Sequence, residues 1–221
     1  MIAAVALGAA GLIAGGPQHL LTARWLQGPG SPGDCASMAP RPAVSIPVFG
    51  LVTGALLASL PARVHSAWEV AAAAWLIACA VPLAWIDVKT RRLPDFLTVA
   101  AYTGVMAVLS SQAAVTGHWS AWVRALAGGA ALAGFYLAFL VARPSSVGAG
   151  DVKAAASAGA LMAWASWATL VGGTFAAFLA AALYGGWLLM ARRITSARAL
   201  IPFGPCLFAG CVMAIFFMPG G

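Results

Sequence analysis

An all-α polytopic membrane protein, a bundle of seven or eight transmembrane helices, is the predicted fold class, and three observations predict it. Hydrophobic residues make up 62% of the 221-residue chain and charged residues only 8%, against about 25% charged in an ordinary soluble domain. Apolar runs long enough to cross a bilayer, about 20 residues each, recur along the sequence. The basic residues fall almost entirely between alternate pairs of these runs. A soluble fold of this size could not hide so much apolar side chain from water. The net charge of +7 is spread thinly, so it signals orientation and lipid headgroup contact. Nothing resembles a phosphate-cradling glycine loop or a basic stretch interleaved with aromatics. A nucleic-acid partner is therefore not expected.

The candidate spans, in order, are 2–23, 44–60, 67–86, 96–115, 121–142, 152–166, 167–191 and 200–218. Gly15-Gly16-Pro17 is expected to interrupt the first span. That span lacks a basic region followed by a small-residue cleavage site, and is read as a retained helix. The Pro- and Gly-rich segment 28–47 reads as an irregular loop. Two spans fit after position 151 only if the first is short and the turn near Trp164–Trp167 is tight. If the loop after the first span is cytoplasmic, all 12 Lys and Arg except Arg63 and Arg124 lie on that side. Both termini then face outward. Trp68, Trp119 and Trp122 fall near outer helix ends, as an interfacial aromatic belt would have them. Residues 1–66 form N-terminal helices with a short loop, and 67–221 form the main membrane bundle.

The acidic residues are Asp34, Glu69, Asp87, Asp95 and Asp151, and a carboxylate beside hydrocarbon is costly and usually functional. Asp34 lies in the loop. Glu69 is expected at the outer interface. Asp95, after Pro94, is expected to serve as a helix N-cap. Asp87 ends the third span and Asp151 begins the sixth, and the charge-derived topology puts both at the cytoplasmic boundary. Two carboxyl groups within a few ångströms share a proton and titrate as a pair. The ionised partner can take a proton from water while the protonated one donates to a scissile carbonyl, which hydrolyses a peptide without metal or covalent intermediate. Gly148 and Gly150 precede Asp151 and leave open backbone where an extended peptide could lie. The same glycines would also serve a plain turn before a helix.

Three blocks in order resemble the type IV prepilin peptidases, membrane aspartic peptidases of the Gly-x-Gly-Asp class. The first is Asp87-Val-Lys-Thr-Arg-Arg-Leu-Pro94-Asp95. The second is Gly148-Ala-Gly150-Asp151-Val152-Lys153, and the third is Pro202-Phe203-Gly204-Pro205. The resemblance covers about 67–218 and makes that stretch a peptidase bundle. It implies Asp87 and Asp151 as the catalytic pair. It implies Gly148, Gly150, Lys153, Pro94, Pro202, Phe203, Gly204 and Pro205 as substrate-binding or site-shaping residues. It further implies a prepilin-like protein substrate of a type IV pilus system, with a short basic leader before a hydrophobic helix. Cleavage would fall on the cytoplasmic side of the inner membrane. Longer family members carry paired Cys-x-x-Cys motifs for zinc and methylate the new N-terminus. Here Cys35 stands alone and residues 1–60 match poorly, so no metal, no cofactor and no methylation are expected. The chain resembles the compact, peptidase-only form.

The remaining candidates read as structural. His19, His65 and His118 have no ligand spacing. Ser145 and Ser146 lack a neighbouring base. Lys153 lies close enough to Asp151 to act on it, or can reach the headgroups. Two other functions compete with the peptidase: a small transporter with both acids on a proton or cation path, and a non-catalytic pilus-assembly scaffold.

Overall fold

The computed structural model of the chain describes residues 2–27, 42–64, 66–142, 148–191 and 203–217. Among the described residues there are eight α-helices and no strand: α1 Ile2–Gln27, α2 Pro42–Ser59, α3 Ala67–Thr90, α4 Asp95–Thr116, α5 Trp119–Ala142, α6 Ala149–Ala165, α7 Trp167–Met190 and α8 Gly204–Phe217. Six helical stretches are long and apolar enough to cross a bilayer: α1, α2 with the 3₁₀ turn that extends it, α3, α4, α5 and α7. Helices are the natural solution in lipid because each satisfies its own backbone hydrogen bonds.

Small residues decide how these helices meet. Lipid tails remove the hydrophobic drive between helices, so close van der Waals contact must hold them. Gly11 of α1 lies so near α2 that a Cβ would come within 2.5 Å of the Gly54 backbone. Gly159 of α6 meets Gly128 of α5 in the same way, and Gly210 of α8 meets Gly173 of α7. The two N-terminal helices attach to α3 through Gln18, whose side chain donates to Thr53 at 3.1 Å and to the Ala78 carbonyl at 3.0 Å.

Two expectations about helix boundaries are corrected. α1 runs without interruption through Gly15-Gly16-Pro17. Gly15 is a packing surface, since a Cβ there would sit 2.4 Å from the Ile46 carbonyl oxygen, and neighbouring helices make an internal proline tolerable in a membrane. α6 starts at Ala149 rather than at 152, with Gly148 extended as its N-cap. Asp151 therefore sits inside the first turn. The tight α6–α7 turn is found: Ser166 is extended and its hydroxyl accepts the Thr169 N–H at 3.0 Å.

Hydrogen bonds define the two ends of the bundle. At one end, Arg124 of α5 donates to the Ala163, Trp164 and Ala165 carbonyls that finish α6. These are the orphan acceptors of a helix C-terminus, where a cation is favourable. Trp164 Nε1 at that end donates to Glu69 at 3.3 Å. The other end gathers the end of α3 and the starts of α4, α6 and α8.

Candidate active site

Asp87 and Asp151 come together at that second end. Asp87 is in the last turns of α3 and Asp151 in the first turn of α6, and they are 4% and 8% exposed. Gly150, the residue before Asp151, packs on Leu93, which follows the end of α3, so the two helix ends meet. Each carboxyl has one oxygen tied to a backbone amide. Asp87 Oδ2 accepts the Gly204 N–H at 2.9 Å across 117 residues of chain, so the N-terminus of α8 points at this carboxyl. Free amides and the helix dipole there favour negative charge. Asp151 Oδ2 accepts the Gly148 N–H at 3.0 Å. That bond is the half of a capping box in which the third helical residue reaches back to the N-cap. The other oxygen of Asp151, Oδ1, is buried and has no hydrogen-bond partner among the described residues. An ordinary capping residue has no need of such a buried, unsatisfied oxygen.

The three sequence blocks interlock around these acids. Gly150 packs directly on Leu93, in the connection between α3 and α4: a Cβ at 150 would come within 2.6 Å of the Leu93 Cβ. Arg91 turns that connection in the left-handed region at φ 53° and caps α3 by donating its N–H to the Asp87 carbonyl at 2.7 Å. Gly204 ties the third block to the first by the same logic, since a Cβ there would sit 2.9 Å from Asp87 Oδ2. Gly150 and Gly204 thus act through close approach rather than through backbone flexibility. Replacing Gly150 by Ala is expected to cost about 1–3 kcal/mol through overpacking. Leu93→Gly in the same chain, which removes the Cβ that would be met, should recover part of it. Thermal unfolding in detergent of the two single variants and the double variant checks this, and strict additivity would contradict the contact.

Asp95 is not the helix N-cap it was expected to be. Pro94 holds that position, and no side-chain cap bond forms. Asp95 is the first residue of α4, where its carboxylate pairs with Lys153 of α6 at 2.7 Å. Lys153 therefore joins block one to block two. Both side chains are exposed, 44% and 73%, so solvent screening leaves this pair worth no more than about 1 kcal/mol. A double-mutant cycle of Lys153→Ala and Asp95→Ala on thermal stability should return a coupling in that range.

Other expectations have their places. Phe203 and Pro205 flank Gly204, and Pro202 lies outside the described residues, as do Asp34, Cys35, His65, Ser145 and Ser146. His19 is buried, and its Nδ1 is 2.7 Å from the Ser45 hydroxyl. Among the described residues no group of three His, Cys, Asp or Glu could hold a metal ion. Two neighbours of the acids escaped sequence reading. The Tyr136 ring of α5 packs edge-on against Phe203 at 5.3 Å, and Cys206 lies in the first turn of α8, whose Gly204 amide binds Asp87. Both occupy apolar runs where only the tertiary arrangement sets them apart from packing residues. An apolar groove of 680 Å³ lies between α2, α3 and α8, with Trp85, Val88 and Pro205 in its lining.

A family model described as the type IV leader peptidase family matches residues 70–190 of the chain. That span contains both acids. No curated protein and no solved structure matches the chain.

Proposed function

Since the chain belongs to the type IV leader peptidase family, we propose that it is an aspartic endopeptidase of the inner membrane. In this reading it removes the leader of a prepilin-like precursor on the cytoplasmic side. The observation that carries it is the convergence of Asp87 and Asp151. Two buried carboxyls from separate sequence blocks lie at one end of the bundle, where Gly150 packs on Leu93 and the Gly204 amide binds Asp87.

The chemistry follows from that pairing. One carboxylate takes a proton from water as the water oxygen bonds to the scissile carbonyl carbon. The protonated partner gives its proton to the carbonyl oxygen, so a neutral tetrahedral adduct forms. Collapse breaks the C–N bond, and the departing nitrogen takes up the proton that the first carboxylate removed from water. The hydroxyl proton returns to the second acid. An acid and a new amine are the products, and the pair is reset. The backbone N–H groups of Gly204 and Gly148 hold the two carboxyls in place for both steps.

The orientation rests on charge. Arg24, Lys89, Arg91, Arg92 and Lys153 lie at the same end as the acids, and Arg63 and Arg124 at the other. A cytoplasmic site follows from that bias. A precursor with a hydrophobic segment suits the apolar groove between α2, α3 and α8. Co-expression with a candidate prepilin tests the function: the product should be lighter by the mass of the leader. An unchanged precursor mass, with the protein inserted and folded, would count against it.

A further inference from the structure

Tyr136 is a buried residue whose hydroxyl has no hydrogen-bond partner among the described residues. Its side chain is 1% exposed. The ring is held from two sides, edge-on against Phe203 at 5.3 Å and nearly parallel to Phe178 at 6.2 Å. Phe203 directly precedes Gly204, the residue whose amide binds Asp87. The ring is therefore locked against the segment that positions that acid. Yet the phenol oxygen is buried without a hydrogen-bond partner. Buried tyrosine hydroxyls normally find one, and leaving a polar group unsatisfied costs about 1–3 kcal/mol.

A second such atom belongs to the helix packed on α5. Asp151 Oδ1 is also buried and unpaired among the described residues. α5 runs antiparallel to α6, with Arg124 on the carbonyls that finish α6 and Leu132 against Gly159, so Tyr136, one turn beyond Leu132, faces the first turn of α6 that carries Asp151. One substrate group that accepts from the phenol and exchanges a proton with the carboxyl would serve both. The oxygen of a scissile carbonyl does both.

We propose that Tyr136 is a further catalytic residue, whose hydroxyl donates a hydrogen bond to the scissile carbonyl oxygen as tetrahedral character develops there. The phenol keeps its own proton throughout, so the transfers remain those of the two carboxyls. A donor aimed where charge gathers in the transition state lowers the barrier without tightening substrate binding. This role rests on the peptidase reading of Asp87 and Asp151.

Tyr136→Phe removes one oxygen and keeps the ring against Phe203 and Phe178. The variant should lose about 10²- to 10³-fold in kcat, with KM within a few-fold. It should melt no lower than the parent, because the atom removed is unsatisfied at rest. A kcat within a few-fold of the parent would overturn the proposal, as would a change confined to KM. If the variant fails to fold, ring-fluorinated tyrosines at position 136 take its place, retaining shape and hydroxyl while making the phenol more acidic. A kcat that follows this acidity supports the role, and one that stays flat across the series overturns it. Asp87→Asn and Asp151→Asn run alongside. Normal cleavage by both would remove the peptidase reading itself. Their inactivity beside a fully active Tyr136→Phe would remove only the role of the tyrosine.

Discussion

Asp87→Asn and Asp151→Asn should each abolish cleavage of a co-expressed precursor, with a rate loss beyond about 10³-fold, while the protein still inserts and folds. General acid–base catalysis by one group is worth about 10² to 10⁴, and in the proposed reaction each carboxyl serves in both halves. An amide can neither accept the proton of the attacking water nor give one to the carbonyl oxygen. Asn is close in shape, and at both positions its carbonyl oxygen can still accept the backbone N–H that now binds Asp87 Oδ2 or Asp151 Oδ2. Folding should therefore survive. The two losses should not add in the double variant, because the pair works as a unit. Mass measurement of the precursor after co-expression reads the outcome. Transport of protons or cations through liposomes by the parent, with no change in precursor mass, would favour the acids as a conduction path instead.

Gly204→Ala carries the second largest expected effect, and it tests the geometry rather than the chemistry. An added Cβ would sit 2.9 Å from Asp87 Oδ2 and 3.3 Å from its Cγ. Neither partner has room to yield: Asp87 is in the last turns of α3, and Gly204 opens α8. Either the carboxyl swings away or α8 retreats, and both break the 2.9 Å bond from the Gly204 amide. A displacement of about 1 Å in a catalytic group can cost 10²-fold, so a fall in kcat of about that size is expected. The loss of stability should be smaller, about 1–3 kcal/mol, as for other overpacked contacts. Comparing precursor turnover with thermal unfolding separates the two. Equal and mild effects on both would mean that α8 does not hold Asp87 where the reaction needs it.

The legible part of the chain was the part governed by local rules. A run of apolar residues as long as the bilayer is thick makes a helix whatever its neighbours do, because no other backbone satisfies its hydrogen bonds in lipid. The helices were therefore readable from the spacing of Arg, Lys, Gly and Pro, and so was the tight turn before Trp167. The spacing also set both acids at ends of spans that share a side of the bundle. Gly15-Gly16-Pro17 misled because glycine and proline are read as breakers, whereas α1 uses Gly15 to touch α2. Asp95 misled for a related reason: a carboxylate at a helix start can serve the amides of its own helix, and here it serves Lys153 of another.

Residue order alone carried the membrane class and a count of seven or eight helices, and set Asp87 and Asp151 at span ends on one side, since length, hydropathy and charge act within one segment at a time. Folding in three dimensions decided what surrounds those acids: the Gly204 amide on Asp87, Leu93 against Gly150, and the Tyr136 ring against Phe203. These contacts depend on how helices distant in the chain cross, and the crossings are set by glycine surfaces whose partners no local pattern names.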